Sequence, residues 1–306
     1  MFPIIPANSA AAATGNDEGI FGFGYTSTYA GMTNLVSDAG VVATDVSAVG
    51  TARYGVAGCE YGDDTGIFGF GRTATPASVS TTNLVSNTGV VATDTSGVGT
   101  GRNNLGACSY GDDKGIFGFG TTYPTEYSMT NLVSNTGVVA TDTTGVGTAR
   151  GQISGCEYGS DKGIFAYGRS DAPNEYQSMS NLVSNTGVVA TDTAGVGTGR
   201  YGIGCCGYDG DKGIFAYGSH AGSSYTAVSN LVSNTGVVAT DVSGVGTARS
   251  DTAACEYGGD LGIFAYGNAA GPNTAVSNLV SDAGVIATDT SGVGSARHAI
   301  GACSFN

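Results

Sequence analysis

The sequence contains no tryptophan, only two histidines and few cations. Lysine and arginine number 11 against 25 acidic residues, which gives a formal net charge of −14 at pH 7. Binding to nucleic acid needs clustered cations that neutralise phosphates, so we expect no nucleic-acid partner. The acidic composition favours solubility and resistance to self-association.

Long apolar segments are also missing. No run reaches the roughly 18 apolar residues that a membrane-spanning helix needs. The first residues, MFPIIPANSAAAATGNDEG, lack the basic flank and the long apolar run of a signal peptide. We therefore expect neither a membrane span nor export by the signal-peptide route.

Catalytic motifs are absent as well. The chain has no GxSxG, Walker or HExxH motif. Its two histidines, His220 and His298, are too scattered to build a copper site with Tyr and Cys ligands. We therefore expect a protein that is not an enzyme and needs no cofactor or metal ion. A sialidase-like or oxidase-like enzyme is the alternative.

What the chain does contain is a repeat of about 50 residues. It has 53 glycines, yet 41% of its residues are hydrophobic, so the glycines occupy turns in a folded chain. Units of this size are too small to bury a core alone, which favours a closed array of units. Two recurring segments mark the period, one like NLVSNTGVVATDTTGVGTAR and one reading GIFGFG or GIFAYG. The first segment begins at Asn34, Asn83, Asn131, Asn181, Asn230 and Asn278.

Each unit predicts four short strands. Residues 149–159 and 163–168 form two of them, with aromatic residues at alternate positions in the second. A third ends at Ser184, a turn follows, and residues 188–192 form the fourth. Four antiparallel strands per unit predict an all-β, six-bladed β-propeller. A parallel β-helix is the alternative.

The two ends of the chain predict how such a propeller closes. The repeats begin at a second strand, Gly19, and stop after a sixth first strand, residues 296–305. We therefore expect the C-terminal strand to join the N-terminal blade. Residues 1–18 are expected to form an N-terminal arm, and residues 19–306 the propeller.

The pattern resembles two kinds of known protein. An arginine before the first strand, an aromatic second strand ending in glycine and an asparagine in the third resemble a degenerate Kelch repeat, over about residues 19–305. The repeated segment and the FPIIPANSA leader are also similar to bacteriophage structural and tail proteins. The second resemblance implies a virion protein, in a tail, fibre or decoration, whose arm binds other virion proteins. A lectin-like or protein-interaction scaffold, soluble in the cytoplasm or outside the cell, is the alternative.

Two polar residues recur once per unit. They are Arg53, Arg102, Arg150, Arg200, Arg249 and Arg297, and the aspartates Asp45, Asp94, Asp142, Asp192, Asp241 and Asp289. Their equal number and fixed spacing favour structural salt bridges between the two sets. A cationic ring that binds an anionic ligand is the alternative.

Cysteine recurs in the same way. Six of the seven cysteines occupy one repeat position, where neighbouring units are too far apart for disulfides. We expect them to act as small buried hydrophobes, and we assign no role to Cys205. The acidic turns, such as the one holding Asp112 and Asp113, lack the alternating oxygen ligands of a calcium loop and are expected to be turn formers.

Variation between units falls in two places. One is the connection between the second and third strands, here called the variable loop, and the other is the pair of positions after each arginine. In an antiparallel unit both lie at the same end of the sheet. Their composition of Tyr, Asn, Ser and Gln is typical of adaptable binding loops, so we expect a face that recognises a host-surface glycan or protein. Drift in tolerant loops would give the same pattern. The candidate binding residues are Tyr29, Tyr54, Asn103, Tyr123, Tyr127, Gln152, Tyr176, Tyr201, Tyr225 and His298.

Overall fold

The computed structural model describes residues 17–47, 49–74, 78–170, 175–221 and 224–305. Residues 1–16 of the predicted arm lie outside this part of the chain, as do residues 75–77, 171–174 and 222–223 of three variable loops. The regular structure of the described residues is entirely β. Glu18, expected in the arm, opens the first strand.

The strands are short, and their bounds follow the repeat. The first twelve are β1 (Glu18–Tyr25), β2 (Tyr29–Val36), β3 (Ala57–Tyr61), β4 (Thr65–Gly69), β5 (Thr82–Val85), β6 (Gly106–Tyr110), β7 (Lys114–Gly118), β8 (Thr121–Thr122), β9 (Thr125–Glu126), β10 (Thr130–Val133), β11 (Ser154–Tyr158) and β12 (Lys162–Ala166). The others are β13 (Arg169–Ser170), β14 (Glu175–Tyr176), β15 (Ser180–Val183), β16 (Gly204–Tyr208), β17 (Lys212–Ala216), β18 (Ser219–His220), β19 (Ser224–Tyr225), β20 (Ser229–Val232), β21 (Ala253–Tyr257), β22 (Leu261–Asn268), β23 (Asn273–Val280) and β24 (Gly301–Phe305).

These strands form antiparallel sheets, numbered here 1 to 6 along the chain. The three-stranded sheets have the spatial orders β24-β1-β2, β3-β4-β5, β6-β7-β10, β11-β12-β15, β16-β17-β20 and β21-β22-β23. The variable loops of sheets 3, 4 and 5 add the two-stranded hairpins β8-β9, β13-β14 and β18-β19. In sheet 1 the C-terminal strand pairs with the N-terminal one, with Phe305 opposite Glu18 and Gly301 opposite Gly22.

The prediction of a six-bladed β-propeller with four strands per blade is wrong. The described residues form sheets of only two or three strands, and none of these sheets closes into a barrel or propeller. The segment expected as a fourth strand makes isolated bridges instead, Ser180 with Thr193 and Val183 with Val189 in sheet 4. Two residues lie between Ser180 and Val183 of β15, but three lie between Val189 and Thr193 of the segment opposite. That extra residue breaks the ladder as a β-bulge does, and a reading by local propensity does not reveal it.

Side-chain packing and loop hydrogen bonds, rather than strand pairing, join one sheet to the next. The first strands of the six sheets, here called the inner strands, contact each other in the cyclic order β24, β3, β6, β11, β16, β21 and back to β24. A Cβ atom on Gly58 would lie 2.5 Å from the carbonyl oxygen of Ala302, so glycine is required for this approach of β3 to β24.

Apolar clusters fill the space between neighbouring sheets. The rings of Phe119 and Phe165, from adjacent sheets, meet edge to face with centroids 5.4 Å apart. The Cys59 sulfur packs against Gly115 of the next sheet. A Cβ atom on Gly115 would lie only 2.5 Å from this sulfur. All seven cysteines are buried with free thiols, and burial raises the pKa of Cys59 to about 12. They pack as small apolar side chains.

The recurring arginines lie inside the sheets with no exposed surface. Arg150 donates from Nε to the carbonyl of Tyr167 at 2.7 Å, from Nη1 to the carbonyl of Thr148 at 3.0 Å and from Nη2 to Asn181 Oδ1 at 2.7 Å. Its guanidinium stacks on the ring of Phe119 from the preceding sheet, 4.4 Å from the centroid. Burial lowers the pKa of Arg150 to about 10, so the group stays charged at neutral pH.

Each arginine lies beside an aspartate, but not the one eight residues before it. Asp192 accepts hydrogen bonds from Asn181 and from the backbone and hydroxyl of Thr148. Burial by itself raises the pKa of Asp192, and these bonds outweigh that effect and hold it below its usual value. Distances of 3.7–3.9 Å separate Nη1 and Oδ1 in the pairs Arg53–Asp94, Arg102–Asp142, Arg150–Asp192, Arg200–Asp241 and Arg297–Asp45.

The arginine also accounts for an unusual backbone conformation. The aromatic residue that accepts its Nε–H has a left-handed φ, which bulky side chains rarely adopt. The φ values of 61–66° occur at Phe23, Phe70, Phe119, Tyr167, Tyr217 and Tyr266. This conformation turns the carbonyl toward the arginine, and burial of the ring between sheets holds it there.

We predict that Arg150→Met lowers the free energy of unfolding by about 3–5 kcal/mol, because it leaves the carbonyls of Tyr167 and Thr148 and the amide oxygen of Asn181 without their donor. Urea denaturation measures the change. Lys162→Met is the control, because Lys162 pairs with Asp161 at the surface and its loss should change stability little. Similar losses for the two variants would contradict a structural role specific to the buried arginine.

Candidate functional site

The variable loops and the positions after the arginines are joined directly at one end of the sheets, here called the loop face. Asn103 donates its backbone N–H to Thr121 at 2.9 Å and accepts one back at 2.8 Å. The equivalent bridges are Tyr54–Arg72, Gly151–Arg169, Tyr201–Ser219, Ser250–Asn268 and Tyr25–His298. The two variable sets therefore form one continuous surface around the inner strands.

A closed ring of backbone hydrogen bonds lies at the centre of the loop face. Each member donates its N–H to the carbonyl of the member from a neighbouring sheet, at 2.6–3.1 Å. The ring runs from Gly55 to Ala299, Asp251, Gly202, Gln152, Asn104 and back to Gly55. All six have φ between 50° and 63°, in the left-handed region.

Sequence reasoning missed this ring, although a signal was present. Two glycines, an asparagine and an aspartate occupy the repeat position two residues after the arginine, and these types adopt left-handed φ most readily. Below the ring lies a cavity of about 100 Å³, which is lined by residues of the inner strands such as Val56, Leu105, Ile153, Ile203 and Ile300.

An aromatic group lies on the loop face where sheets 1 and 2 meet. Tyr25, Tyr29, Tyr54 and His298 have ring centroids 5.6–5.7 Å apart in successive contacts. His298 Nδ1 is 2.8 Å from Asn273 Oδ1 of sheet 6. Three of these rings were predicted binding residues, and Tyr25, at the end of β1, was not among the predicted ones.

Other predicted residues meet in smaller groups. Tyr176 stacks on Tyr201 of the next sheet, with centroids 5.5 Å apart and planes 20° apart. Tyr225 donates its hydroxyl to Asn268 Oδ1 at 2.9 Å. Asn103 uses its amide internally, donating to Ser78 Oγ at 2.8 Å and to the carbonyl of Thr121.

A cleft of about 100 Å³ opens beside the β8-β9 hairpin. Its walls include Tyr123, Glu126, Gln152 and Arg169. Tyr123 is 87% exposed, the most exposed large apolar side chain among the described residues. Tyr127, also predicted to bind, is only partly exposed, and its backbone carbonyl accepts the N–H of Arg150.

Acidic residues from alternate sheets meet at the other end of the inner strands. Glu60, Glu157 and Glu256 line a cavity of about 60 Å³, with Ser109 and Ser304 at the same repeat position in other sheets. Burial raises the pKa of Glu157 to about 9, and the negative charges of Glu256 and Glu60 add to the effect. Burial raises the pKa of Glu256 to about 7. Among the described residues no group of His, Cys, Asp and Glu side chains is arranged to hold a metal ion.

None of the six recurring arginines lines the cavity below the ring or the cavity at Glu157. Each is fully buried in its own sheet and bonded to carbonyl and amide groups. The alternative of a cationic ring facing an anionic ligand therefore has no exposed guanidinium group to support it.

Comparison with known proteins assigns no family. No protein-family model matches the chain, and no curated protein matches it at a significant level. In the residues that the structure describes, no helix is long and apolar enough to cross a membrane.

We predict that Glu157→Gln raises the melting temperature at pH 8 and leaves it unchanged at pH 4. The folded-state pKa of Glu157 is raised, so its contribution to stability is full below about pH 4.5 and is lost as the pH rises toward 9. Glutamine does not ionise, so the variant does not lose stability as the pH rises. Calorimetry at the two pH values measures the difference.

Ser109→Ala is the matched control, because Ser109 lines the same cavity and does not titrate. Its effect should be the same at both pH values. A Glu157→Gln effect that did not depend on pH would contradict the raised pKa.

Proposed function

We propose that the chain is a non-enzymatic recognition module that binds its ligand with the loop face. The observation that carries this proposal is the convergence of tyrosines from different units into neighbouring groups on that face. Tyrosine offers a large, rigid contact surface with a polar end at low entropic cost, which is why binding loops are rich in it. The six recurring arginines are fully buried, so none of them is placed to form the arginine triad of a sialidase-like site.

The ligand class that these groups fit is a host-surface glycan or a protein. The stacked pair of Tyr176 and Tyr201 presents aromatic surface, and the cleft at Tyr123 places Glu126, Gln152 and Arg169 beside an exposed ring. Aromatic faces with a few convergent polar groups are typical of small-ligand sites. The net charge of −14 argues against a nucleic-acid ligand.

We further propose that the module is part of a bacteriophage particle, in a tail, fibre or decoration. The leader and the repeated segment, similar to those of phage structural proteins, support this location. Residues 1–16 would attach the module to other virion proteins and leave the loop face free for the host. The same face would serve a lectin-like or protein-interaction scaffold outside a virion.

Replacement of loop-face tyrosines tests recognition. We predict that Tyr123→Ala and Tyr201→Ala each weaken binding to host cells or to an arrayed glycan by about ten-fold, the effect expected of interface aromatics. Surface plasmon resonance or glycan arrays measure it. Val188→Ser is the control, because Val188 is 65% exposed on the outer segment of sheet 4. Equal binding by all three variants would contradict the loop-face proposal.

Truncation tests the attachment role. We predict that removal of residues 1–16 abolishes incorporation into the particle and leaves the melting temperature unchanged, because the described sheets begin after this segment. Particle purification followed by immunoblotting measures incorporation. Normal incorporation of the truncated chain would overturn the role of the arm.

A further inference from the structure

Cys205 is the one cysteine outside the recurring position, and its side chain faces the preceding sheet. The sulfur of its neighbour Cys206 packs toward sheet 6, where a Cβ atom on Gly262 would lie 2.6 Å from it. Successive side chains of a strand point to opposite faces, so Cys205 points from sheet 5 back to sheet 4. Its sulfur lies 3.0 Å from the hydroxyl oxygen of Ser154, which belongs to β11 of sheet 4.

Both residues of this contact depart from the repeat. The position of Cys205 holds glycine or alanine in the other units, at Gly58, Ala107, Gly155, Ala254 and Ala302. The position of Ser154 is likewise glycine or alanine in the other five units. Two residues that break the regular pattern therefore meet between sheets 4 and 5.

Cys156 brings a second thiol to the same place. It lies two residues after Ser154 on β11, so both side chains are on the face toward sheet 5. A Cβ atom on Gly213 of sheet 5 would lie 2.7 Å from the Cys156 sulfur. The thiols of Cys156 and Cys205 share a hydrogen bond, and this bond together with burial raises the pKa of Cys156. The two sulfurs are therefore in direct contact, with Cys156 protonated at neutral pH.

Cys205 lines both cavities among the inner strands. It borders the cavity of about 100 Å³ below the ring and the cavity of about 60 Å³ at Glu157, whereas Cys156 borders only the second. A volume of about 10–15 Å³ is enough to hold a water molecule, and hydrogen peroxide is little larger than water. Cys205 is thus the thiol that a small oxidant in either cavity meets.

We propose that Cys156 and Cys205 form a disulfide that a hydroperoxide produces and a dithiol reverses, and that this bond joins sheet 4 to sheet 5. The Cys205 thiolate attacks the peroxide and becomes a sulfenic acid, while the O–O bond breaks and the leaving oxygen takes the Cys205 proton. The Cys156 sulfur then attacks the sulfenic acid sulfur. The S–S bond forms, and the hydroxyl leaves as water with the Cys156 proton. The two thiols lose two electrons, and the hydroperoxide gains them.

The disulfide would close a loop that is one repeat unit long, between two neighbouring inner strands. A cross-link of this kind stabilises the folded chain chiefly by lowering the entropy of the unfolded one. The modification does not involve the loop face, so its failure would leave the recognition proposal untouched.

Peroxide treatment of the full chain tests whether the bond forms. Free thiols are then alkylated in denaturant, and the unreduced protein is digested and analysed by mass spectrometry. We expect the Cys156–Cys205 pair to be at least about ten-fold more abundant than any other cysteine pair, because these sulfurs are already in contact. Cys205→Ala, which restores the residue of sheets 3 and 6, should abolish the cross-link. Cys206→Ala, the matched control on the opposite face of β16, should keep it.

Thermal unfolding tests whether the bond joins the sheets. We expect the oxidised chain to melt several degrees higher than the reduced chain, and dithiothreitol to reverse the shift. Cys205→Ala should show no such shift, which also controls for oxidation of methionines. A Cys205–Cys206 bond, a cross-link that persists in Cys205→Ala, or sulfinic acid without a cross-link would overturn the proposal. An unchanged melting temperature of the cross-linked chain would overturn the joining of the two sheets.

Discussion

A guanidinium group without access to water must have its N–H groups paired inside the protein, and this requirement organises every unit of the chain. Arg150 joins the start of its unit to the end of the second strand and to Asn181 of the third. Its stacking on Phe119 connects that unit to the one before it. One side chain thus holds the strands of a sheet together and fixes the distance to the next sheet.

The loop face depends on this arrangement. The carbonyl of Arg150 accepts the N–H of Gly120 from the preceding sheet. Two residues after Arg150, Gln152 is a member of the ring of backbone hydrogen bonds at the centre of the loop face. Because the arginine is buried and rigid, Gln152 is held at the centre of the face. Variation in the outer loops therefore does not disturb the central ring, which allows one face to change its surface while the sheets remain alike.

The regularity of the repeat is broken where the chain ends meet. β24 completes sheet 1 together with β1, so two distant parts of the chain share one sheet. Sheet 6, next to it, carries Leu261 and Asp282 where most other sheets carry polar residues that bond within their turns. The inner strands contact each other in a cyclic order, so the two ends of the chain meet, and the residues there have a different environment from their counterparts.

The sequence alone determined the all-β character, the sixfold repeat and the shared position of the variable segments, since these follow from spacing along the chain. It did not determine the sheets, which have three strands because one extra residue between Val189 and Thr193 interrupts the outer ladder. Nor did it identify the partner of each arginine, which lies far along the chain, or the ring through Gln152 and Asp251. Those features depend on which distant residues come within hydrogen-bond distance, and only the packing of one sheet against the next decides that.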